Sequence, residues 1–271
     1  MRRATSFVPL SLHHSEFGRG YPIVILHGLF GSSANWKSIS RRLGAAYRVI
    51  LPDLRNHGAS PHADSMGYEE MGADVLALLE EKALPRAFIL GHSLGGKVAM
   101  TLALLHPERV AAMVAVDVAP VYYQHRFDRL IETLRALPLD TLTDRAEADR
   151  LLSGDIGDAQ LRQFLLQNLV HRDQGFGWRI HLEAIHATME DLLGFPDLTA
   201  GAPFLGPSLF IAGEHSDYIR PEYIPTIRER FPRAEMVTIP STGHWVHAEN
   251  PQAFLTALAP FLKRAEPSQS D

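Results

Sequence analysis

Gly91-His92-Ser93-Leu94-Gly95 lies between Ala87-Phe88-Ile89-Leu90, an apolar run that reads as a buried strand, and a longer run from Leu94 to Leu105 that reads as a helix ended by His106-Pro107. A strand that turns sharply into a helix presents the side chain at its apex, which makes Ser93 a candidate nucleophile. So tight a turn tolerates little side chain on either flank, and glycine stands two residues to each side of Ser93. The five-residue pattern is short, and its flanks supply the specificity.

The same punctuation recurs along the chain. Residues 22–26 read as a strand ending at His27-Gly28, and residues 47–51 as another ending at Pro52-Asp53. Further strand-like runs cover 112–116, 208–212 and 235–239. Trp36, Ile39 and Leu43 keep helical spacing, as do Met71, Val75, Leu78 and Leu79. Asn250-Pro251 starts a last helix, with Asn as N-cap and Pro at the first helical position, and Pro260 is expected to kink it or start a new turn. Strands alternating with amphipathic helices predict the α/β class: a mainly parallel central sheet flanked by helices on both faces.

Between about Pro120 and Gly206 the alternation stops. Helical patterns follow one another without a strand signal, through Leu130 and Leu134, Leu151 and Leu152, Leu161 and Leu165, Leu182 and Ile185. An all-helical insertion between the strands at 112–116 and 208–212 covers the C-terminal edge of the sheet, where open α/β sheets bind ligands. The predicted organisation is a core of residues 1–119 and 207–271 with a helical cap, or lid, of residues 120–206.

Composition narrows the classes. The chain has 271 residues, 46% of them hydrophobic, enough to bury a large core. A net charge of −5 gives no basic surface for nucleic acid. The absence of cysteine excludes disulfides, thiolate metal sites and cysteine nucleophiles. No apolar run approaches the ~18 residues of a transmembrane helix. Met1-Arg2-Arg3 is followed by no apolar export signal, so a cytoplasmic protein is expected.

Four segments, in order, resemble the α/β-hydrolase superfamily, and the likeness runs from about Leu12 to Leu262. His27-Gly28-Leu29-Phe30-Gly31 resembles its oxyanion loop, Gly91 to Gly95 its nucleophile elbow, and Thr242-Gly243-His244-Trp245 the segment carrying its catalytic histidine. Asp53-Leu54-Arg55-Asn56-His57-Gly58-Ala59-Ser60 places Asn56 where the general pattern has glycine. That D-x-R-N-H-G-x-S form, with Asp117-Val118-Ala119-Pro120, is similar to a branch of bacterial carboxylesterases and acyl-thioesterases. The resemblance implies an α/β-hydrolase fold and ester or thioester hydrolysis.

The chemistry asks for the same residues. A serine hydroxyl needs a base within reach, and the imidazolium that forms needs an anion behind it. Among fourteen histidines His244 is the best base, because it follows the last strand and Gly243 lets its loop turn inward; His247 is the runner-up. His13, His14, His181 and His186 read as solvated or structural, since no histidine and carboxylate set has metal-like spacing. Two carboxylates compete for the acid. The superfamily resemblance points after the strand at 208–212, where Asp217 stands one residue past the usual slot and Ser216 fills it. The branch resemblance points instead to Asp117, with Ser216 supporting the histidine, and Asp117 is preferred. Both keep the chain order Ser, Asp, His.

An oxyanion hole needs two fixed donors. Leu94 N–H follows the nucleophile at a helix N-terminus. Leu29 N–H is implied by the family loop, with Phe30 its close competitor. Phe30, Tyr122 and Trp245 are expected in the substrate pocket, with Tyr123, Phe127, Phe164, Phe176 and Trp178 as further aromatic candidates from the cap. The predicted partner is a small ester or thioester with an apolar acyl group, cleaved through an acyl-enzyme with no metal or organic cofactor. The same triad also suits an acyltransferase, a perhydrolase or a C–C hydrolase, and the fold alone suits a non-catalytic binding protein. Dehalogenases and epoxide hydrolases of this superfamily are disfavoured, since they carry aspartate where Ser93 stands.

Overall fold

The computed structural model describes residues 8–124, 127–173, 175–198 and 201–267; the N-terminal residues on which the expectation about export chiefly rests lie outside that set. In chain order the core opens with β1 (His14–Phe17), β2 (Tyr21–Leu26), α1 (Lys37–Leu43), β3 (Tyr47–Pro52), α2 (Tyr68–Glu81), β4 (Ala87–His92), α3 (Leu94–Leu105) and β5 (Val110–Val116). The insertion holds α4 (Asp128–Arg135), α5 (Arg145–Leu152), α6 (Ala159–Leu166), β6 (Leu169–His171), β7 (Phe176–Trp178), α7 (Leu182–Ala187) and α8 (Met189–Leu193). The core resumes with β8 (Ser208–Gly213), α9 (Ile224–Arg230), β9 (Ala234–Ile239), α10 (Val246–Glu249) and α11 (Pro251–Ala265).

Seven strands form one sheet in the order β1-β3-β2-β4-β5-β8-β9. Only the β1–β3 pairing is antiparallel. Alternate residues enter opposite cores, as strand geometry requires. Val24, Leu26, Ile89 and Met113 pack with α2 and α3 on one face. Ile23, Ile25, Phe88, Leu90 and Val114 pack with α1 and α11 on the other. Complete burial of both faces explains why these strands read as continuous apolar runs. β1 is His-Ser-Glu-Phe on the sheet edge, where polar residues are the rule, and it carries no apolar signal.

One expectation is corrected. The insertion is not all helical, because β6 and β7 pair antiparallel, Leu169 opposite Trp178 and His171 opposite Phe176. Three-residue strands are too short to leave an alternating signature. α11 runs through Pro260, with Phe254, Leu255 and Leu258 before it and Phe261 and Leu262 after it buried against the sheet.

The strand order places β3 and β4 on opposite sides of β2, so the loops leaving the C-terminal ends of β2 and β4 diverge there. Such a switch point opens a crevice in doubly wound sheets. The segment 27–31 and Ser93 both lie at this point.

Candidate active site

Ser93 joins β4 to α3 with φ 52° and ψ −117°, a backbone conformation that non-glycine residues seldom adopt. The helix behind it starts at once, as Gly96 N–H and Lys97 N–H donate to the Ser93 carbonyl at 2.9 and 3.1 Å. Neither flanking glycine can be replaced without moving backbone. A Cβ at Gly91 meets the Gly95 carbonyl oxygen at 2.0 Å, and one at Gly95 meets the Leu26 oxygen at 2.5 Å. Leu94 N–H belongs to the first turn of α3, whose donors have no intrahelical acceptor.

Asp117 and His244 come from the ends of different strands. Asp117 follows β5, is fully buried, and also has positive φ. Its Oδ1 accepts from Gly213 N–H at 3.0 Å. Its Oδ2 accepts from the Ser216 hydroxyl and from His244 Nδ1, the latter at 2.7 Å. A carboxylate so held cannot rotate away from the imidazole. Because it accepts, the His244 proton sits on Nδ1, leaving the Nε2 lone pair for a proton acceptor role. Glycine is required where the two loops touch, since a Cβ on Gly213 meets the Gly243 oxygen at 2.1 Å. Glu249 fixes the His244 loop by accepting from Gly243 N–H at 2.6 Å and Trp245 N–H at 3.0 Å. Asp217 faces outward, its side chain 58% exposed and paired with Arg220 at 2.5 Å. Of the two carboxylates left open by the sequence, the structure brings Asp117 to His244.

His92 and His247 line the same region without sharing that carboxylate. His92 Nε2 donates to the His244 carbonyl at 2.8 Å, and burial pushes its pKa well below the ordinary histidine value. His92 is therefore a neutral support for the His244 backbone. His247 stacks on Trp36 at 3.9 Å, and burial pushes it down to about 3. Tyr218 stacks on the His244 ring at 4.0 Å.

The D-x-R-N-H-G-x-S segment braces the 27–31 loop. Phe30, at φ 60°, donates its N–H to His57 Nε2 at 3.1 Å and accepts at its carbonyl from Asn168 Nδ2 at 2.7 Å. His57 Nδ1 donates to the Arg55 carbonyl at 2.9 Å, which fixes the tautomer. Burial pushes His57 down to about 3, so it stays neutral and Nε2 remains an acceptor. His27 repeats the device, with Nε2 accepting from Leu54 N–H at 3.0 Å. Arg55 is spent on buried Asp74, at 2.7 and 2.8 Å. Phe30 N–H, the competitor to Leu29 N–H for a ligand, is thus already bonded to His57. Sequence reasoning missed His57 and Asn168. His57 was visible in the motif but not its aim, and Asn168 lies 138 residues from its partner.

A cavity of ≈ 750 Å³ opens over these groups, lined by Ser93, His244, Phe30 and Trp245 from the core and Phe127 and Phe164 from the insertion. The Phe164 and Trp245 rings, both lining it, lie 5.7 Å apart. A smaller cavity of ≈ 50 Å³ also touches Ser93. Tyr122 is a correction: it is 50% exposed, its hydroxyl donates to Glu190 at 2.9 Å, and it lines neither cavity. Its neighbour Tyr123 turns inward instead, held by Ala119 N–H at 2.7 Å and the Tyr218 carbonyl at 2.6 Å. Phe176 and Trp178 belong to the packing of the insertion, Phe176 against His171 and Trp178 through its Nε1–H to the Leu134 carbonyl. Among the described residues no group of three or more His, Asp or Glu side chains is placed to hold a metal ion, and no helix is long and apolar enough to cross a membrane.

Comparison with known proteins places this geometry. A family model described as the alpha/beta hydrolase fold matches residues 21–251. The sn-1-specific diacylglycerol lipase ABHD11 of Xenopus tropicalis is 41% identical over 271 aligned residues, covering 97% of this chain and 84% of the relative. Esterase YbfF of Escherichia coli (strain K12) is 34% identical, covering 89% of this chain and 92% of the relative. Among solved structures, a marine microorganism esterase superposes with a TM-score of 0.89 at 37% identity, covering 93% of this chain and 99% of that one.

Proposed function

Since the chain belongs to the α/β-hydrolase family, we propose that it is a serine hydrolase of carboxylic esters with an apolar portion, acting through an acyl-enzyme on Ser93. The observation that carries this reading is the buried Asp117 carboxylate hydrogen-bonded to His244 Nδ1, beside a strained serine in an apolar cavity. Relatives named as esterases and as a diacylglycerol lipase support the reaction class.

His244 Nε2 takes the Ser93 hydroxyl proton as Oγ attacks the ester carbonyl. Asp117 keeps the imidazole in the required tautomer and offsets the charge it acquires. The carbonyl oxygen, now an oxyanion, accepts from Leu94 N–H and Leu29 N–H, donors fixed before the reaction begins. The tetrahedral intermediate collapses as His244 returns its proton to the leaving alkoxide. Water then enters, gives its proton to His244 and releases the acid, restoring Ser93. Thioesters follow the same path, with a thiol leaving.

The test is hydrolysis of p-nitrophenyl esters and acyl thioesters by wild type and Ser93→Ala. Loss of the nucleophile should lower kcat by on the order of 10⁴-fold or more. Retention of most of the activity by Ser93→Ala would contradict the mechanism.

A further inference from the structure

Ser93 stands where two unequal cavities meet, and the histidine lines only one of them. Ser93, Leu29, Phe127 and Tyr218 border both. His244 borders the cavity of ≈ 750 Å³ alone, and Leu94 and Lys97 border the cavity of ≈ 50 Å³ alone. This asymmetry gives the ester a direction, on the premise that the Ser93 ester-hydrolase reading holds. The two groups on the reacting carbonyl carbon have different needs. The leaving oxygen must reach the proton on His244 Nε2, whereas the acyl chain has no business with the imidazole.

We infer that the small cavity along α3 is the acyl subsite and that the large apolar cavity takes the alcohol or thiol side of the substrate, so that this enzyme cleaves short-acyl esters of bulky apolar alcohols or thiols. The sequence led to an expectation of an apolar acyl group; the larger apolar group falls instead on the alcohol or thiol side.

Size and chemistry of the walls set the acyl group. At ≈ 50 Å³ against ≈ 750 Å³, the small cavity suits a short acyl group and the large one a bulky group. The small cavity is lined by α8, through Met189, Leu192 and Leu193, and by Lys97 one helical turn beyond Ser93. Lys97 offers nothing to a charged acyl group. Its Nζ has three donors, and the carbonyls of Leu192, Leu193 and Gly194 lie at its tip, that of Leu193 at 2.8 Å. The Tyr123 ring lies 4.7 Å from it. Selection in this cavity is by size. The large cavity falls in the range of about 300–1,000 Å³ typical of sites for drug-sized apolar ligands.

The step balances with water as the only co-reactant. The Ser93 Oγ–acyl bond forms as the acyl–alkoxy bond breaks, the Ser93 proton passes through His244 to the alkoxide, and water later takes the acyl group to give the acid.

Octyl acetate and ethyl octanoate test the direction, because they are isomers with the long chain on opposite sides of the ester. Wild type should cleave octyl acetate with kcat/KM at least about 10-fold above ethyl octanoate, since even one misplaced methylene costs roughly that. Met189→Ala lengthens the small cavity and should move the ratio toward ethyl octanoate. Each ratio is taken on one preparation, so a loss of folded enzyme cancels. Equal rates, a preference for ethyl octanoate, or Ser93-dependent turnover of p-nitrophenyl acetate without octyl acetate overturns the subsite assignment alone. No turnover of p-nitrophenyl acetate or of either isomer overturns the ester reading and the assignment with it.

Discussion

Asp117 and Asp217 separate the residue-scale account from its nearest competitor. Asp117 is buried with three donors, and Asp217 is solvated beside Arg220. Asp117→Asn should therefore lower kcat by on the order of 10⁴-fold, as loss of the triad acid does elsewhere, while Asp217→Asn changes it little. Comparable losses in both, or neither, would leave the acid unassigned. His57 acts one step further out, by holding the Phe30 N–H, next in the chain to the proposed donor Leu29. His57→Ala should lower kcat by up to about 100-fold, because small displacements of a fixed donor are costly, with KM changing less. A raised KM with kcat intact would contradict that role. Ser93 and His244 were legible because each sits at a glycine-marked end of a strong strand. The acid was less so, because 117 and 217 both satisfy chain order and only the branch resemblance favoured Asp117, the carboxylate that the structure brings to His244. Tyr122 and Tyr123 were indistinguishable in sequence, since no regular element fixes which of two adjacent loop residues turns inward.

At the scale of elements, the parallel strands and the helices between them were readable because both faces of the sheet are buried and periodicity follows burial. What escaped was short or polar: β1 on the edge, and the three-residue strands β6 and β7. The insertion's place over the site follows from where it enters, between β5 and β8, but its aim rests on single side chains. Phe164 on α6 reaches Trp245, and Asn168 just beyond reaches the Phe30 carbonyl. Phe164→Ala should therefore reduce kcat/KM for a bulky apolar ester by about 10-fold, the value of a few buried methylenes, and more than it reduces kcat/KM for p-nitrophenyl acetate. Equal reductions on both substrates, or none, would remove α6 from the binding surface.

Across the whole molecule, the buried histidines give stability a pH dependence. His57 and His247 are held neutral by burial, each with its pKa near 3 against an ordinary 6.5, and His27 and His92 are pushed down in the same direction. Below about 6.5 the unfolded chain protonates His57 and His247 while the fold does not, so the unfolded state binds more protons and stability falls as the pH drops toward 3. Each such imidazole contributes about 1.4 kcal/mol per pH unit within that window. The thermal midpoint should hold near neutrality and decline from pH 6 to 4. His247→Phe, which keeps a ring against Trp36, should decline less steeply. An equal decline in both proteins would show that His247 carries none of the effect. Composition gave no sign of this, because burial of a histidine is a property of the fold.

The proposed activity rests on one bond-forming atom, Ser93 Oγ. Labelling with a fluorophosphonate followed by peptide mass mapping reads that atom directly, independently of which ester is the natural substrate. One adduct per chain on the peptide containing Ser93, absent in Ser93→Ala and formed far more slowly in Asp117→Asn, is the predicted result. An adduct on another residue, or labelling undiminished in Ser93→Ala, would contradict the account at its centre.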